Sequence, residues 1–195
     1  MDYFKQRSNS LKEYEFYFAQ ISPEKGLEDR IQEIISEKGK CRLMDIGCGN
    51  AEALSELKEK FADKLHTIGI DLLEAGKSPD AFIKGDAITE AFPIEIDITV
   101  CFRAAHEIGS IRKLFEKTMA CLSVDGTAYF LIRALKPENG KLEFEGKMKE
   151  ADIDYLLALE KRPGQAVVHA AYEEFGTGNG TGKYIAGFRA TIKGK

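Results

Sequence analysis

Leu43-Met-Asp-Ile-Gly-Cys-Gly-Asn-Ala-Glu-Ala-Leu54 is the stretch where the chain passes from strand to helix. The apolar run Cys41–Ile46, broken only by Arg42 and Asp45, predicts a strand. Gly47 and Gly49 predict a tight turn, and Leu54, Leu57 and Phe61 repeat behind it at helical spacing. Such a turn brings backbone close to a ligand and aims free amides from a helix start at it.

The same alternation continues downstream. Strands are predicted at His66–Asp71, Ala81–Lys84, Ile96–Phe102 and Thr127–Leu135, with helices at Asn50–Asp63 and Ser110–Leu122 between them. A polar loop, Lys136–Gly146, leads to a helix from about Glu150 to Leu159. Two further strands, Ala166–Tyr172 and Tyr184–Ile192, flank the glycine-rich Gly176–Gly182 and should form an antiparallel hairpin at the sheet edge. The expected class is α/β: a Rossmann-like, seven-stranded, mostly parallel sheet with an antiparallel last strand and helices on both faces. Upstream lie two predicted helices. The first is capped by Ser10 and carries Leu11, Tyr14, Tyr17 and Phe18. The second has Ser22 as cap and Pro23 at its first position, with Leu27, Ile31, Ile34 and Ile35 on one face and Gly39 at its end. The aromatic cluster Tyr3, Phe4, Tyr14, Phe16, Tyr17 and Phe18 reads as core packing, or as a lid over a substrate, to which Phe16 is the strongest pointer.

With 195 residues, one domain is expected: a helical cap at 1–39 and a core at 40–195. A net charge of −4 gives no footprint for nucleic acid or an anionic membrane surface. No apolar run approaches the roughly 20 residues of a membrane span, and charge in Met-Asp-Tyr-Phe-Lys-Gln-Arg argues against a signal peptide. Cys41, Cys48, Cys101 and Cys121 show no paired spacing, which suits buried thiols in a reducing cytoplasm. The histidines His66, His106 and His169 are far apart and adjoin no cysteine, so no metal is expected.

A dinucleotide site would want a third glycine where Glu52 stands, and Asp45 before the turn would repel phosphate. The same acid suits a ligand with an ammonium group. Asp71 ends the second strand, where an acid can accept from ribose hydroxyls, although Asp also starts turns for local reasons. Asp86, in Gly85-Asp86-Ala87, stands where an adenine amino group could be received, or caps the segment leading to Phe92-Pro93. Three acids at successive strand ends are hard to assign to turn chemistry alone.

Leu43–Ala51 resembles the first motif of the class I S-adenosylmethionine-dependent methyltransferases. The resemblance continues through Gly69-Ile70-Asp71, Gly85-Asp86-Ala87 and the strand leading to Ala105-His106-Glu107. It implies S-adenosyl-L-methionine as cofactor, with contacts from Asp45, Gly47, Cys48, Gly49, Asp71, Leu72, Asp86, Ala87, Phe102 and Arg103. In the family the glycines pack on the methionine moiety, the acid matching Asp71 holds the ribose, and that matching Asp86 lies by the adenine. One departure is Ser123-Val124-Asp125-Gly126, where the family has a Pro-Gly turn.

The implied activity is methyl transfer to a small-molecule acceptor, with oxygen the case that needs a base. His106 with Glu107 is the candidate catalytic pair, since an imidazole titrates near neutrality; packing in a loop is its structural alternative. Phe102-Arg103-Ala104-Ala105 stands in place of the Asn/Asp-Pro-Pro-Tyr/Phe pattern of amino-methylating adenine and glutamine enzymes, and no Pro-Cys nucleophile precedes it. With the acidic balance, that argues against nucleic acid as acceptor. A non-catalytic, cofactor-binding partner or regulatory module is the alternative; a nicotinamide-dependent reductase is disfavoured by Glu52. Gly176–Lys183 resembles a phosphate loop but has Thr177 and Tyr184 at key positions, and reads as a hairpin loop.

Overall fold

The computed structural model describes residues 9–135, 143–144, 155, 167–175 and 183–191. Its elements follow the order α1 (Leu11–Ala19), α2 (Leu27–Lys38), β1 (Cys41–Ile46), α3 (Glu52–Phe61), β2 (Leu65–Asp71), β3 (Ala81–Lys84), β4 (Ile96–Phe102), α4 (Ile111–Cys121), β5 (Leu122–Leu135), β6 (Glu143–Phe144), β7 (Val167–Phe175) and β8 (Lys183–Thr191). The sheet order is β3-β2-β1-β4-β5-β8-β7, with β6 paired to β5 off that path. The first five of these strands are all parallel. β8 runs antiparallel to both β5 and β7.

The α/β class stands, but the strand count does not. Among the described residues the parallel block has five strands and the sheet eight, where seven were expected. The addition is β6, which pairs at Ala134 and Leu135, beyond Leu131 where β4 stops pairing with β5. β5 also starts early. Leu122 already pairs with Ile96, the register shifts before Thr127 meets Ile98, and Asp125 takes φ 62, so Ser123–Gly126 is an irregularity within a strand. β8 lies inside the sheet, and β7 forms the edge. The helix expected near Glu150–Leu159 (Tyr155 excepted), most of the Lys136–Gly146 loop, Gly176–Gly182, Tyr3 and Phe4 lie outside the described residues.

Strand alternation sorts the core onto two faces. Met44 and Ile46 pack with α4, whereas Cys41 and Leu43 pack with α1, α2 and α3. Asp45 falls on that second face by the same period, in line with two apolar side chains. Burial on both faces explains why β1 and β4 are apolar nearly throughout.

α1 begins as read, with Ser10 and Glu13 forming a capping box. α2 does not begin at Pro23. It starts at Leu27 behind Gly26, because Glu15 of α1 supplies the cap: its carboxylate accepts from the amides of Leu27 (2.9 Å) and Glu28 (2.8 Å). A carboxylate there satisfies two orphan donors and meets the positive end of the helix. Glu15→Ala is therefore expected to destabilise the fold by about 1–2 kcal/mol in urea denaturation. An unchanged midpoint would show that α2 is held by packing alone. Gly39, at φ 81, ends α2 in the left-handed conformation.

Tyr14, Tyr17 and Phe18 of α1 are buried against the sheet, while Phe16 is half exposed. The four cysteines are free and buried. Among the described residues, no helix is long and apolar enough to cross a membrane, and no group of His, Cys, Asp and Glu is arranged to hold a metal ion.

Candidate functional site

β1 delivers Asp45 to the core side of the glycine turn. Its carboxylate is buried, and Oδ2 accepts a hydrogen bond from the Tyr14 hydroxyl at 2.6 Å. Oδ1 is also buried and, among the described residues, has no hydrogen-bond partner. An orphaned carboxylate oxygen inside a protein is costly, and such exceptions point to strain or to an absent ligand. Burial pushes the Asp45 carboxyl up to about 7; the Asp71 charge acts in the same direction and the Tyr14 hydrogen bond opposes it. Burial likewise raises the Tyr14 hydroxyl well above its ordinary value, with the Asp45 charge adding to it.

The turn is held by the neighbouring strand, since the amides of Gly47 (2.7 Å) and Cys48 (3.3 Å) both donate to the Ile70 carbonyl. Gly47 has φ 78 and Gly49 φ 57. A Cβ on Gly47 would lie 2.2 Å from the Cβ of Ala104, so the loops after β1 and β4 meet where only glycine fits. Asp71 reaches into the same turn: Oδ2 accepts from the Gly49 amide at 2.9 Å and Oδ1 from the Leu73 amide at 3.1 Å. Each oxygen keeps a further lone pair for a ligand hydroxyl.

Asp86 is exposed, and its Oδ1 accepts from the Ile88 amide at 2.9 Å, which is the local turn role foreseen as its alternative. Ala87 is buried beside it, and Lys117 of α4 donates to the Ala87 carbonyl at 2.7 Å, fixing this loop. Leu72 is 62% exposed. Cys48 is buried, and burial raises its thiol far above the usual range.

At the end of β4, Phe102 is buried with the rings of Tyr14 and Tyr17 edge-on to it, at centroid distances of 5.2 and 6.0 Å. Arg103 follows with φ 61; its amide donates to the Leu131 carbonyl (3.0 Å) and its guanidinium to the Tyr17 hydroxyl (2.6 Å). His106 lies in a short 3-10 turn, Ala105–Glu107, with its side chain only 2% exposed and Nε2 3.6 Å from Glu107 Oε1.

The expected residues of the first two strand ends thus converge on one turn. Two partners went unread from sequence, Tyr14 and Tyr17. Their spacing of three placed both on the apolar stripe, where an aromatic side chain reads as packing; a hydroxyl at each buried position was the available signal.

The orphaned Asp45 Oδ1, the glycine cradle and the Asp71 acceptors suit an ammonium, a closely packed chain and a ribose, and nothing in them suits a pyrophosphate. No protein-family model and no curated protein matches the sequence. Solved structures do match. A S-adenosylmethionine-dependent methyltransferase from Methanosarcina mazei aligns over 83% of this chain and 98% of its own, with TM-score 0.55 and 16% identity. The 1,6-didemethyltoxoflavin-N1-methyltransferase of Burkholderia thailandensis, solved with its substrate and S-adenosylhomocysteine, aligns over 91% and 80%, with TM-score 0.53 and 13% identity. The [4+2]-cyclase SpnF aligns over 87% and 80%, with TM-score 0.58 and 14% identity. The chain has the Rossmann-like fold of the class I S-adenosylmethionine-dependent methyltransferases. That a cyclase shares this fold is a reason to argue the chemistry from the site.

Proposed function

We propose that this protein is a S-adenosylmethionine-dependent methyltransferase for a small-molecule acceptor, with oxygen as the first acceptor atom to test. The observation that carries this is Asp45, buried at the end of β1 beside the glycine turn with Oδ1 unsatisfied. When bound, the cofactor's sulfonium supplies a methyl group that is already activated. What falls to the chain is holding, orienting and excluding water. Asp45 Oδ1 would accept from an ammonium, Asp71 from the ribose hydroxyls, and the loop of Asp86 and Ala87 would flank the base. Leu72, Cys48, Phe102 and Arg103 complete the proposed cofactor contacts. The rings of Tyr14, Tyr17 and Phe102 close the α1 side against water. His106 would take the proton of a hydroxyl acceptor, with Glu107 beside it. The overall charge of −4 supports a small molecule over a nucleic acid.

Calorimetry with S-adenosylhomocysteine tests the cofactor. Turnover of S-adenosylmethionine against a panel of hydroxyl- and amine-bearing metabolites tests the transfer. Saturable binding and methylation of a panel member are expected; no binding at millimolar cofactor rejects the reading. His106→Gln should lower kcat with a hydroxyl acceptor by about 10²–10⁴-fold and leave cofactor affinity unchanged. An unchanged kcat removes His106 from the chemistry. The burial of His106 favours one second reading, a cofactor-binding module without catalysis, which binding with no turnover across the panel would support.

A further inference from the structure

Resting on the cofactor-binding reading above, we propose that Lys117 of α4 is a positioning residue for Asp86. It acts through the Ala87–Ile88 peptide and thereby sets a preference for an aminopurine over the corresponding oxopurine. The Lys117 ammonium donates to the Ala87 carbonyl at 2.7 Å, and the Ile88 amide donates to Asp86 Oδ1 at 2.9 Å. That carbonyl and that amide belong to one peptide, whose planar trans geometry points them in opposite directions. Fixing the oxygen on α4 therefore aims the N–H at the carboxylate. The two bonds polarise the same peptide, so each strengthens the other.

Lys117 flanks the buried stripe of α4, one turn from Leu114 on one side and Cys121 on the other. Among the described residues it forms no ion pair with a carboxylate. Its ammonium also donates to the Glu90 carbonyl and stands 4.3 Å from the centre of the Phe92 ring. Burial pushes the ammonium down from its ordinary value, and the Asp86 and Glu90 charges oppose that shift. A methionine would cover the same apolar edge without drawing a charge from water. What the charge adds is a grip on two main-chain carbonyls of one short loop.

The loop is closed by its own contacts as well. The amides of Thr89 and Glu90 donate to the Asp86 carbonyl, each at 2.9 Å, and the Thr89 hydroxyl donates to it at 3.1 Å. The Gly85 amide donates to the Asp71 carbonyl at 2.9 Å, which joins the start of the loop to the end of β2. A Cβ on Gly85 would lie 2.5 Å from Glu90 Cγ, so the Glu90 side chain folds back over that start. These contacts set the shape of residues 85–90. Lys117 sets how that shape is seated on α4, and with it the direction in which the exposed Asp86 carboxylate faces. A carboxylate accepts from an exocyclic amino group and repels an oxo group, so its aim reads out as base selectivity.

Calorimetry on the full chain tests this with S-adenosylhomocysteine and S-inosylhomocysteine, in which an oxo group replaces the amino group of the base. The wild type should bind the first at least about 10-fold more tightly. Lys117→Met keeps the stem and loses the ammonium, and should cut that ratio about 5- to 10-fold. Lys117→Arg keeps charged donors for the carbonyls and should hold the ratio within about 2-fold of the wild type. Asp86→Asn, whose amide can serve either base, should bring the ratio near one, and adding Lys117→Met to it should change the ratio no further. A lysine that only braces the fold gives a different result: Lys117→Met melts lower and weakens both ligands by the same factor. An unchanged ratio of that kind overturns the proposal, as does a wild type that binds the two ligands equally, and both results leave cofactor binding standing. A wild type that binds neither ligand defeats the cofactor reading and the proposal together.

Discussion

Asp45→Asn should stabilise the ligand-free protein at pH 8 and, in the same variant, weaken S-adenosylhomocysteine binding about 30-fold or more. The two effects share one cause. The Asp45 carboxyl is pushed up to about 7 in the fold, chiefly by burial, whereas an unfolded aspartate titrates near ~3.9. Between those values the folded chain holds a proton that the unfolded chain does not, so this group's contribution to stability falls as pH rises towards 7 and stays low above it. Asparagine does not titrate. At pH 8 the variant should therefore gain on the order of 2–4 kcal/mol, read as a melting temperature higher by roughly 5–10 °C. Below about pH 3 the aspartate is mostly protonated on both sides of the transition, and the gain should vanish. Binding moves the other way, because an amide nitrogen presented where Oδ1 stands would meet the ligand ammonium as a donor. Loss of one partner of a buried charge pair costs about 2–5 kcal/mol. A stability gain that persists undiminished below about pH 3 would show that ionisation is not its source. Unchanged S-adenosylhomocysteine affinity would place Oδ1 away from the ligand.

This residue also shows what was legible in the sequence. Cys41, Leu43 and Asp45 keep one period of two, so an acid in a core file could be read directly from the order of residues. The strands β3 and β4 and the cap Ser10 follow equally local rules, and their bounds came out as read. What failed depended on distant contacts. Pro23 and Ser22 carry a strong local start signal, but Glu15, on another helix, supplies better acceptors four residues later. Leu122–Gly126 reads as a helix end and a turn, yet pairing with Ile96 draws it into the strand. The site divides the same way. Asp45, Gly47, Gly49 and Asp71 sit within two βα turns and were legible together. Tyr14 and Tyr17 enter from α1, across a separation that no local pattern encodes, and their hydroxyl bonds were hidden beneath an ordinary apolar stripe.

Gly47→Ala is expected to cost about 2–5 kcal/mol of folding stability, and the way the loss divides tests how the two loops meet. One part is backbone. A Cβ at φ 78 carries about 1–2 kcal/mol of left-handed strain whatever surrounds it. The other part is contact. The new methyl would stand 2.2 Å from the Ala104 Cβ, far inside van der Waals distance, and forced repacking costs typically about 1–3 kcal/mol. The turn cannot slide away cheaply, because the Gly47 amide is tied to the Ile70 carbonyl at 2.7 Å. Removing the opposing methyl separates the two parts. Gly47→Ala combined with Ala104→Gly should recover the contact part and keep the strain, giving a double-mutant coupling of about 1–3 kcal/mol in urea denaturation. Simple additivity would mean that the loops after β1 and β4 do not press together here. The same contact bears on the ligand. If the turn shifts to admit the methyl, the Gly49 amide moves relative to Asp71, and both the turn and its ribose acceptor are displaced together. Gly47→Ala should accordingly bind S-adenosylhomocysteine at least about 10-fold more weakly, with Ala104→Gly restoring part of the affinity in step with the stability. Recovery of stability without any recovery of binding would locate the ligand off this turn.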